Sequence, residues 1–317
     1  MNVPLSKPIA AGTTIAYLQC GAPLCGLVAQ LLAPAIQALG AKMVTVNAGL
    51  TASSAQAAAS SVLALKPSAV IVTGVNPQIY AGALKGISAA GIKVVSISVP
   101  GDIKQYGIDF NYVGIAPLEL QGTLLADWVA VNKGPNANVV FYGIPELTFT
   151  PFQEKAFKDE LAKNCPSCKV RFDSIAIATV GTTAPSTIVT DIQSHPDTNT
   201  AVFGSADANQ GVPAALKAAG ISSLTSVAAT PGPAQLQYIK DGSLTAGLGN
   251  DIPTQIWTLV DVCARLINGQ QPTAGEVTGV GPYQFLGKQD ITFDPTHGWT
   301  GYPDFAKRFE KLWKPAP

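Results

Sequence analysis

Short apolar runs recur about every 25 to 30 residues along this chain: Thr14 to Gln19, Met43 to Asn47, Val70 to Thr73 and Val94 to Val99. Between them lie Ala-, Leu- and Gln-rich stretches whose pattern predicts helices. The rhythm restarts at Val139 to Tyr142 and runs on to Leu248. Strands that alternate with helices need crossover connections, so they pair in parallel and bury both faces under helices. Two such series in one chain predict an α/β protein of two doubly wound, Rossmann-like lobes with a cleft between them.

In the first series, the helix after Thr14 to Gln19 is expected from about Gly26 to Leu39, ended by Gly40. Thr51 offers an N-cap hydroxyl to a helix that reaches Leu65 and stops before Pro67. Strand Ala69 to Thr73 leads through Asn76-Pro77 into a helix from Gln78 to Ala90, and strand Lys93 to Val99 meets the turn Pro100-Gly101-Asp102. Ligands of such sheets sit beyond the carboxyl ends of the strands. The loops there are Cys20 to Gly26, Thr73 to Gln78 and Ser98 to Gly101.

Tyr112 to Ile115 reads as a short strand handing over to the second series, followed by a helix from Leu118 to Val131. Further strands are expected at Lys169 to Ile177, Ala201 to Ser205, Ser226 to Ala229 and Thr245 to Leu248. The Gly143 to Pro151 loop leads into a helix through Leu161, and further helices fall near Ser186 to Ser194, Asn209 to Ala219 and Ala234 to Lys240. Helix Gln255 to Asn268 fits the first lobe better. The expected division is therefore 1–111 plus 251–279 for the N-terminal lobe and 112–250 plus 280–317 for the C-terminal lobe and its tail. Chain crossings near Asn111, Asn250 and Gly279 to Pro282 make a hinge. In the tail, Asp304 to Leu312 reads as an amphipathic helix whose aromatic residues pack on one lobe.

Composition narrows the function. The 317 residues exceed what one core usually serves, and only 13% are charged, with Lys+Arg and Asp+Glu both 20. No block of like charge marks a nucleic-acid or anionic-membrane surface. No apolar run is long enough to span a membrane; the most apolar stretch, Cys25 to Gly40, contains Gln30, Pro34 and Gln37. Met1 to Lys7 has no signal-peptide pattern.

The chemistry-bearing residues are few. His195 sits at a helix end and His297 in a turn, away from the carboxyl-end loops; no nucleophile elbow and no Gly-rich dinucleotide loop occurs. No catalytic constellation and no cofactor are therefore expected. Cys20 with Cys25, and Cys165 with Cys168, are spaced to close short loops as disulfides in an oxidising compartment, free thiols being the alternative; Cys263 is a lone core thiol. The two pairs lie in different lobes, so a shared zinc site is not expected.

Thr14-Ile-Ala-Tyr-Leu with Pro23 after it, Gly91-Ile-Lys-Val-Val, Ala201-Val-Phe-Gly-Ser-Ala-Asp207 and Asp241-Gly-Ser-Leu-Thr-Ala-Gly occur in an order that resembles the type I periplasmic solute-binding proteins of ABC importers. The likeness is to their ribose- and autoinducer-binding branch and covers about residues 12 to 270. It implies a non-enzymatic, monomeric receptor that captures a small molecule by hinge closure and hands it to an ABC transporter permease. It implies the periplasm or the cell surface, with any signal or lipid anchor outside this sequence. LacI-type repressors share the core, but only about a dozen non-basic residues precede the first strand here, which is too short for a DNA-binding headpiece.

The sequence departs from the sugar binders of that family in one direction. Ala22-Pro23-Leu24-Cys25 stands where Asn-Pro-Phe-Phe is typical, and Ser98-Val99 replaces an Asp-Arg pair. No Arg lies in Thr150 to Gln153, and Ala206-Asp207 replaces Asn-Asp. The later Asp maps near Thr230 and the hinge Gln to Asn250. A buried hydroxyl without a partner costs roughly 1 to 3 kcal/mol, whereas a buried methylene contributes about 0.8 kcal/mol. The expected ligand is thus amphipathic or largely apolar: steroid-like, terpenoid or an aromatic acid. A sugar or autoinducer-type carbohydrate is the alternative.

The apolar lining expected is Leu24, Val99, Ile144, Leu147, Phe149, Phe152 and Ala206. The polar anchors expected are Gln19, Asn76, Ser98, Gln153, Asp207, Thr230 and Asn250. Each has a structural alternative: Leu24, Ile144 and Phe149 packing under loops, Asn76 starting a turn, Asp207 capping the Asn209 and Gln210 amides, and Asn250 acting only as a hinge.

Overall fold

The computed structural model describes residues 3–21, 23–73, 77–278 and 281–314. In chain order the first elements are β1 (Thr14–Gln19), α1 (Pro23–Leu39), β2 (Lys42–Asn47), α2 (Ala52–Leu65), β3 (Ala69–Val72), α3 (Pro77–Ala89), β4 (Lys93–Ile97) and β5 (Phe110–Tyr112). There follow α4 (Ile115–Lys133), β6 (Asn138–Gly143), α5 (Thr150–Asn164), β7 (Lys169–Ser174), α6 (Ala184–Ser194), β8 (Thr200–Phe203), α7 (Val212–Ala218), β9 (Thr225–Ala229), α8 (Pro233–Asp241) and β10 (Ala246–Asn250). The chain ends with α9 (Ile252–Ile267), α10 (Ala274–Thr278), β11 (Tyr283–Leu286) and α11 (Phe305–Trp313).

The chain forms two compact units. Unit 1 is Met1–Gly114, Ile252–Gly281 and Thr300–Pro317; unit 2 is Ile115–Asp251 and Pro282–Trp299. Unit 1 holds a parallel sheet in the order β2-β1-β3-β4-β5. Unit 2 repeats the order as β7-β6-β8-β9-β10, all parallel, and adds β11 antiparallel to β10. The alternating strand and helix pattern is therefore the doubly wound α/β fold, twice.

Local signals set the boundaries. Thr51 closes a capping box with Ser54, so α2 begins where its hydroxyls allow. α1 starts at Pro23, earlier than the expected Gly26, because a first-turn proline loses no helix hydrogen bond. The stretch expected as one helix from Asn209 divides into a 3₁₀ turn over Ala206–Asn209 and α7, separated by Gly211 at φ 79°. The expected strand Tyr112 to Ile115 is displaced: β5 ends at Tyr112, Val113 turns through φ 64°, and α4 opens at Ile115.

In unit 1 the tail helix packs on α9. The Trp257 and Trp313 rings stack with centroids 5.4 Å apart, and Phe305 and Phe309 flank Trp257. Residues 300–314 thus go with the first unit, whereas the sequence reading put the whole tail with the second. An amphipathic pattern says that a helix must pack, not on what. Beneath this contact lies a buried charge cluster. Arg265 reaches Asp261 (2.8 Å), Glu276 (3.2 Å) and the Val3 carbonyl (2.6 Å), and the Trp313 indole donates to Asp261 (2.7 Å). Both ends of the described chain are anchored there.

In unit 2, α4 and α5 touch so closely that a Cβ on Gly122 would come within 2.2 Å of the Gln153 carbonyl oxygen. Gly122 is mid-helix, and this approach is its reason.

Candidate functional site

The described candidate ligand residues fall at the carboxyl ends of the two sheets. In unit 1 the sheet reverses its winding between β1 and β3: the chain leaves β1 towards β2 but leaves β3 towards β4 and β5. Ligands of open α/β sheets bind at such a switch point. Gln19 ends β1 half-buried, and Leu24, in the first turn of α1, is also half-buried. Cys20 and Cys25 are disulfide-bonded across the intervening loop, with their Cα atoms 5.8 Å apart. Asn76 lies outside the described residues.

Two residues that the sequence reading did not select organise this corner. The Tyr17 hydroxyl donates to the Cys25 carbonyl (3.2 Å), and the Thr73 hydroxyl lies 3.3 Å from Cys25 Sγ and 3.4 Å from Tyr17 Oη. Burial holds the Tyr17 phenol well above its ordinary range, so it stays a neutral donor. These contacts join positions 48 and 56 residues apart, which no local pattern signals.

Next along the sheet, Ser98 follows β4 at φ 58°, half-buried, and Val99 is buried. Asn111, in β5, sets this turn. Its Oδ1 accepts from Ser96 Oγ (2.9 Å) and from the Val99 amide (3.0 Å), and its Nδ2 donates to the Val113 carbonyl (3.2 Å). From the sequence Asn111 marks only a crossing between the lobes.

In unit 2 the switch point lies between β6 and β8. The loop after β6 carries Ile144 and Leu147, both buried, and Phe149, half-buried; Phe152 follows, half-buried, in α5. Thr150 fixes the loop by donating to the Ile144 carbonyl (2.7 Å). Gln153 is 1% exposed and its Nε2 donates to Gln121 Oε1 (2.8 Å); Gln121 in turn donates to the Tyr283 hydroxyl (3.1 Å). Gln153 therefore sits in a polar chain linking α5, α4 and β11.

After β8, Ala206 is buried and Asp207 half-buried. Asp207 stands in the first turn of the 3₁₀ helix, whose N-cap is Ser205, so the expected cap position is not its own. Asn209 is buried with Oδ1 unpaired. Thr230 follows β9 at φ 55°, half-buried, and Asn250 ends β10, 8% exposed. Non-glycine residues held at positive φ cost of order 1 kcal/mol or more and concentrate at functional sites. Ser98 and Thr230 are two of the four in the described chain.

The second cysteine pair, Cys165–Cys168, is also disulfide-bonded; it joins the end of α5 to the start of β7. Among the described residues no group of three His, Cys, Asp or Glu side chains is placed to hold a metal ion, and no helix is long and apolar enough to cross a membrane.

Comparison with known proteins bears on this arrangement. Solved structures of similar fold include an ABC transporter periplasmic solute-binding protein from Actinobacillus succinogenes 130z with bound D-allose. It is 19% identical, with TM-score 0.74 over 88% of this chain and 99% of that one. A Burkholderia graminis C4D1M solute-binding protein in complex with D-arabinose is 18% identical, with TM-score 0.77 over 90% and 98% of the two chains. A 5-methylthioribose transporter solute-binding protein from Thermotoga lettingae TMO is 16% identical, with TM-score 0.76 over 98% and 99%. At these identities the likeness is one of fold. Among curated proteins none matches the chain. A family model described as periplasmic binding protein domain matches residues 27–271. That match covers most of both doubly wound units, and the chain belongs to the periplasmic binding protein family.

Proposed function

We propose that the protein is the receptor of an ABC importer for a small sugar or sugar derivative, captured by closure of the two units and delivered as a monomer to a membrane permease. The observation that carries this reading is the set of half-buried polar side chains at the sheet ends: Gln19 and Ser98 in unit 1, Asp207 and Thr230 in unit 2. Each is a short-range partner for a hydroxyl, and a buried hydroxyl needs one. The apolar lining expected for a steroid-like, terpenoid or aromatic-acid ligand is reduced, since Val99, Ile144, Leu147 and Ala206 are buried. Leu24, Phe149 and Phe152 are half-buried and suit a small apolar substituent. The D-allose, D-arabinose and 5-methylthioribose bound by proteins of similar fold support a carbohydrate, and the last is a sugar with such a substituent.

The two disulfides support an oxidising compartment, reached through a signal or lipid anchor. A thermal-shift panel of pentoses, hexoses, 5-methylthioribose, cholate and aromatic acids tests the ligand class. A solute at about 100 times its dissociation constant stabilises by roughly 2.7 kcal/mol. Stabilisation by a sugar or sugar derivative is expected; stabilisation by cholate or an aromatic acid alone contradicts it.

A further inference from the structure

The geometry points to the Cys20–Cys25 disulfide as a positioning device that holds the first solute-facing loop of unit 1 in its binding shape. Cys20 follows β1 directly and Cys25 lies in the first turn of α1, so the bond ties the strand end to the helix start at the switch point of the sheet. Both cysteines are at most 5% exposed. Gln19 precedes the bridge and Leu24 lies inside it, so the bond limits where both half-buried side chains stand. Its surroundings are built to receive it: the fully buried Tyr17 donates to the Cys25 carbonyl, and the Thr73 hydroxyl at the end of β3 lies against Cys25 Sγ. The bridge therefore ties the end of β1 to the start of α1 and lies against Thr73, the residue after β3. A loop held in its bound shape spares the solute the cost of ordering it.

The second disulfide provides an internal contrast. Cys165–Cys168 closes a shorter loop, with a sequence separation of 3 against 5, between the end of α5 and the start of β7. That is the amino end of its sheet, opposite the candidate loops. A purely structural staple would act alike at either place; a positioning bridge would not.

The inference rests on the sugar-receptor reading for its binding arm only. Hydrogen exchange of the wild type, Cys20→Ser/Cys25→Ser and Cys165→Ser/Cys168→Ser is followed without solute. Dissociation constants for D-allose, D-arabinose and 5-methylthioribose are then measured well below every unfolding midpoint. Removing the first bridge is expected to speed exchange across residues 17–28 at least tenfold and to weaken binding roughly fivefold. Removing the second should leave both unchanged. Wild-type exchange across 17–28 in the first variant overturns the inference, as does equal weakening of binding by the two double variants. If the wild type binds none of the three sugars, these are not its solutes, and the exchange result alone decides whether the bridge shapes the loop. Should the first variant not fold, the same two readings are taken on folded Cys165→Ser/Cys168→Ser, in which Cys20–Cys25 is the one bridge left, before and after treatment with a water-soluble phosphine; the phosphine takes oxygen from water to become its oxide as the two thiols form.

Discussion

Ser98 and Thr230 occupy the same place in the two units. Each follows the fourth strand of its series, at φ 58° and 55°, and each donates its backbone N–H over 2.9 Å to the neighbouring strand, to Tyr112 O and Leu248 O respectively. The pairing one residue earlier is also equivalent, Ile97 with Tyr112 and Ala229 with Leu248. The two units thus repeat a strained turn at the same position of the sheet.

A positive φ suits glycine and costs other residues roughly 1 to 2 kcal/mol, most for a β-branched one. Ser98→Gly and Thr230→Gly are expected to keep or raise stability, by up to about 1 kcal/mol after the entropy cost of glycine, with the larger gain at Thr230. Each removes a hydroxyl, so sugar affinity should fall about 3- to 10-fold. Denaturant titration and calorimetry read the two effects separately; a loss of stability with unchanged affinity would oppose this assignment.

Asn111 holds the Ser98 turn from the adjacent strand. Asn111→Ala leaves the amide of the buried Val99 without its partner, at a cost of about 1 to 3 kcal/mol. Stability of unit 1 should fall by that amount and sugar binding should weaken with it; Asn111→Asp keeps the acceptor for Val99 but sets an oxygen against the Val113 carbonyl, so it should lose stability as well. Urea unfolding of the two variants provides the check.

The buried cluster of unit 1 makes stability depend on pH. Asp261 is pushed up to about 7, first by burial and then by Glu276, with Arg265 and Trp313 acting in the opposite direction. The folded state therefore holds a proton that the unfolded chain, with its ordinary carboxylate, has released. That contribution is fully present below about pH 4 and is lost as pH rises through about 7. Between pH 5 and 8 the wild type should lose stability relative to Asp261→Asn, which keeps an acceptor for Trp313 and does not titrate. Thermal unfolding of both proteins across that range measures the difference; parallel curves would contradict it.

Gly122 lets α4 approach α5. Gly122→Ala places a methyl 2.2 Å from a backbone oxygen that cannot move without shifting a helix, so unit 2 should lose about 3 kcal/mol or more. Gly134→Ala is no control, because Gly134 has φ 56°. Gly86, with nothing within 4 Å and no positive φ, is the proper one: Gly86→Ala should be neutral or stabilising. Circular dichroism melts of the two variants compare them.

Much of this fold is legible in the sequence because it rests on local rules. The β1 run, the Thr51 cap and the glycines Gly40, Gly91 and Gly242 that end α1, α3 and α8 are set by neighbours a few residues away. β11 was not legible: four residues, antiparallel, at an edge, paired with β10 more than thirty positions earlier. The docking of Trp313 on Trp257 was illegible for the same reason. At the sheet ends, residue type shows who stands in a loop but not which way a side chain is spent. Gln153 shows this, since it bonds to Gln121 inside unit 2. Asn111, Tyr17 and Thr73 act through contacts between strands, so sequence spacing carries no sign of them.

The most direct measurement is isothermal titration of the purified protein with D-allose, D-arabinose, 5-methylthioribose and cholate, followed by recovery of the bound compound. One sugar or sugar derivative binding at one site per chain, recovered unchanged, is the result predicted here. Binding of cholate with no heat from any sugar, or recovery of an altered compound, would contradict it.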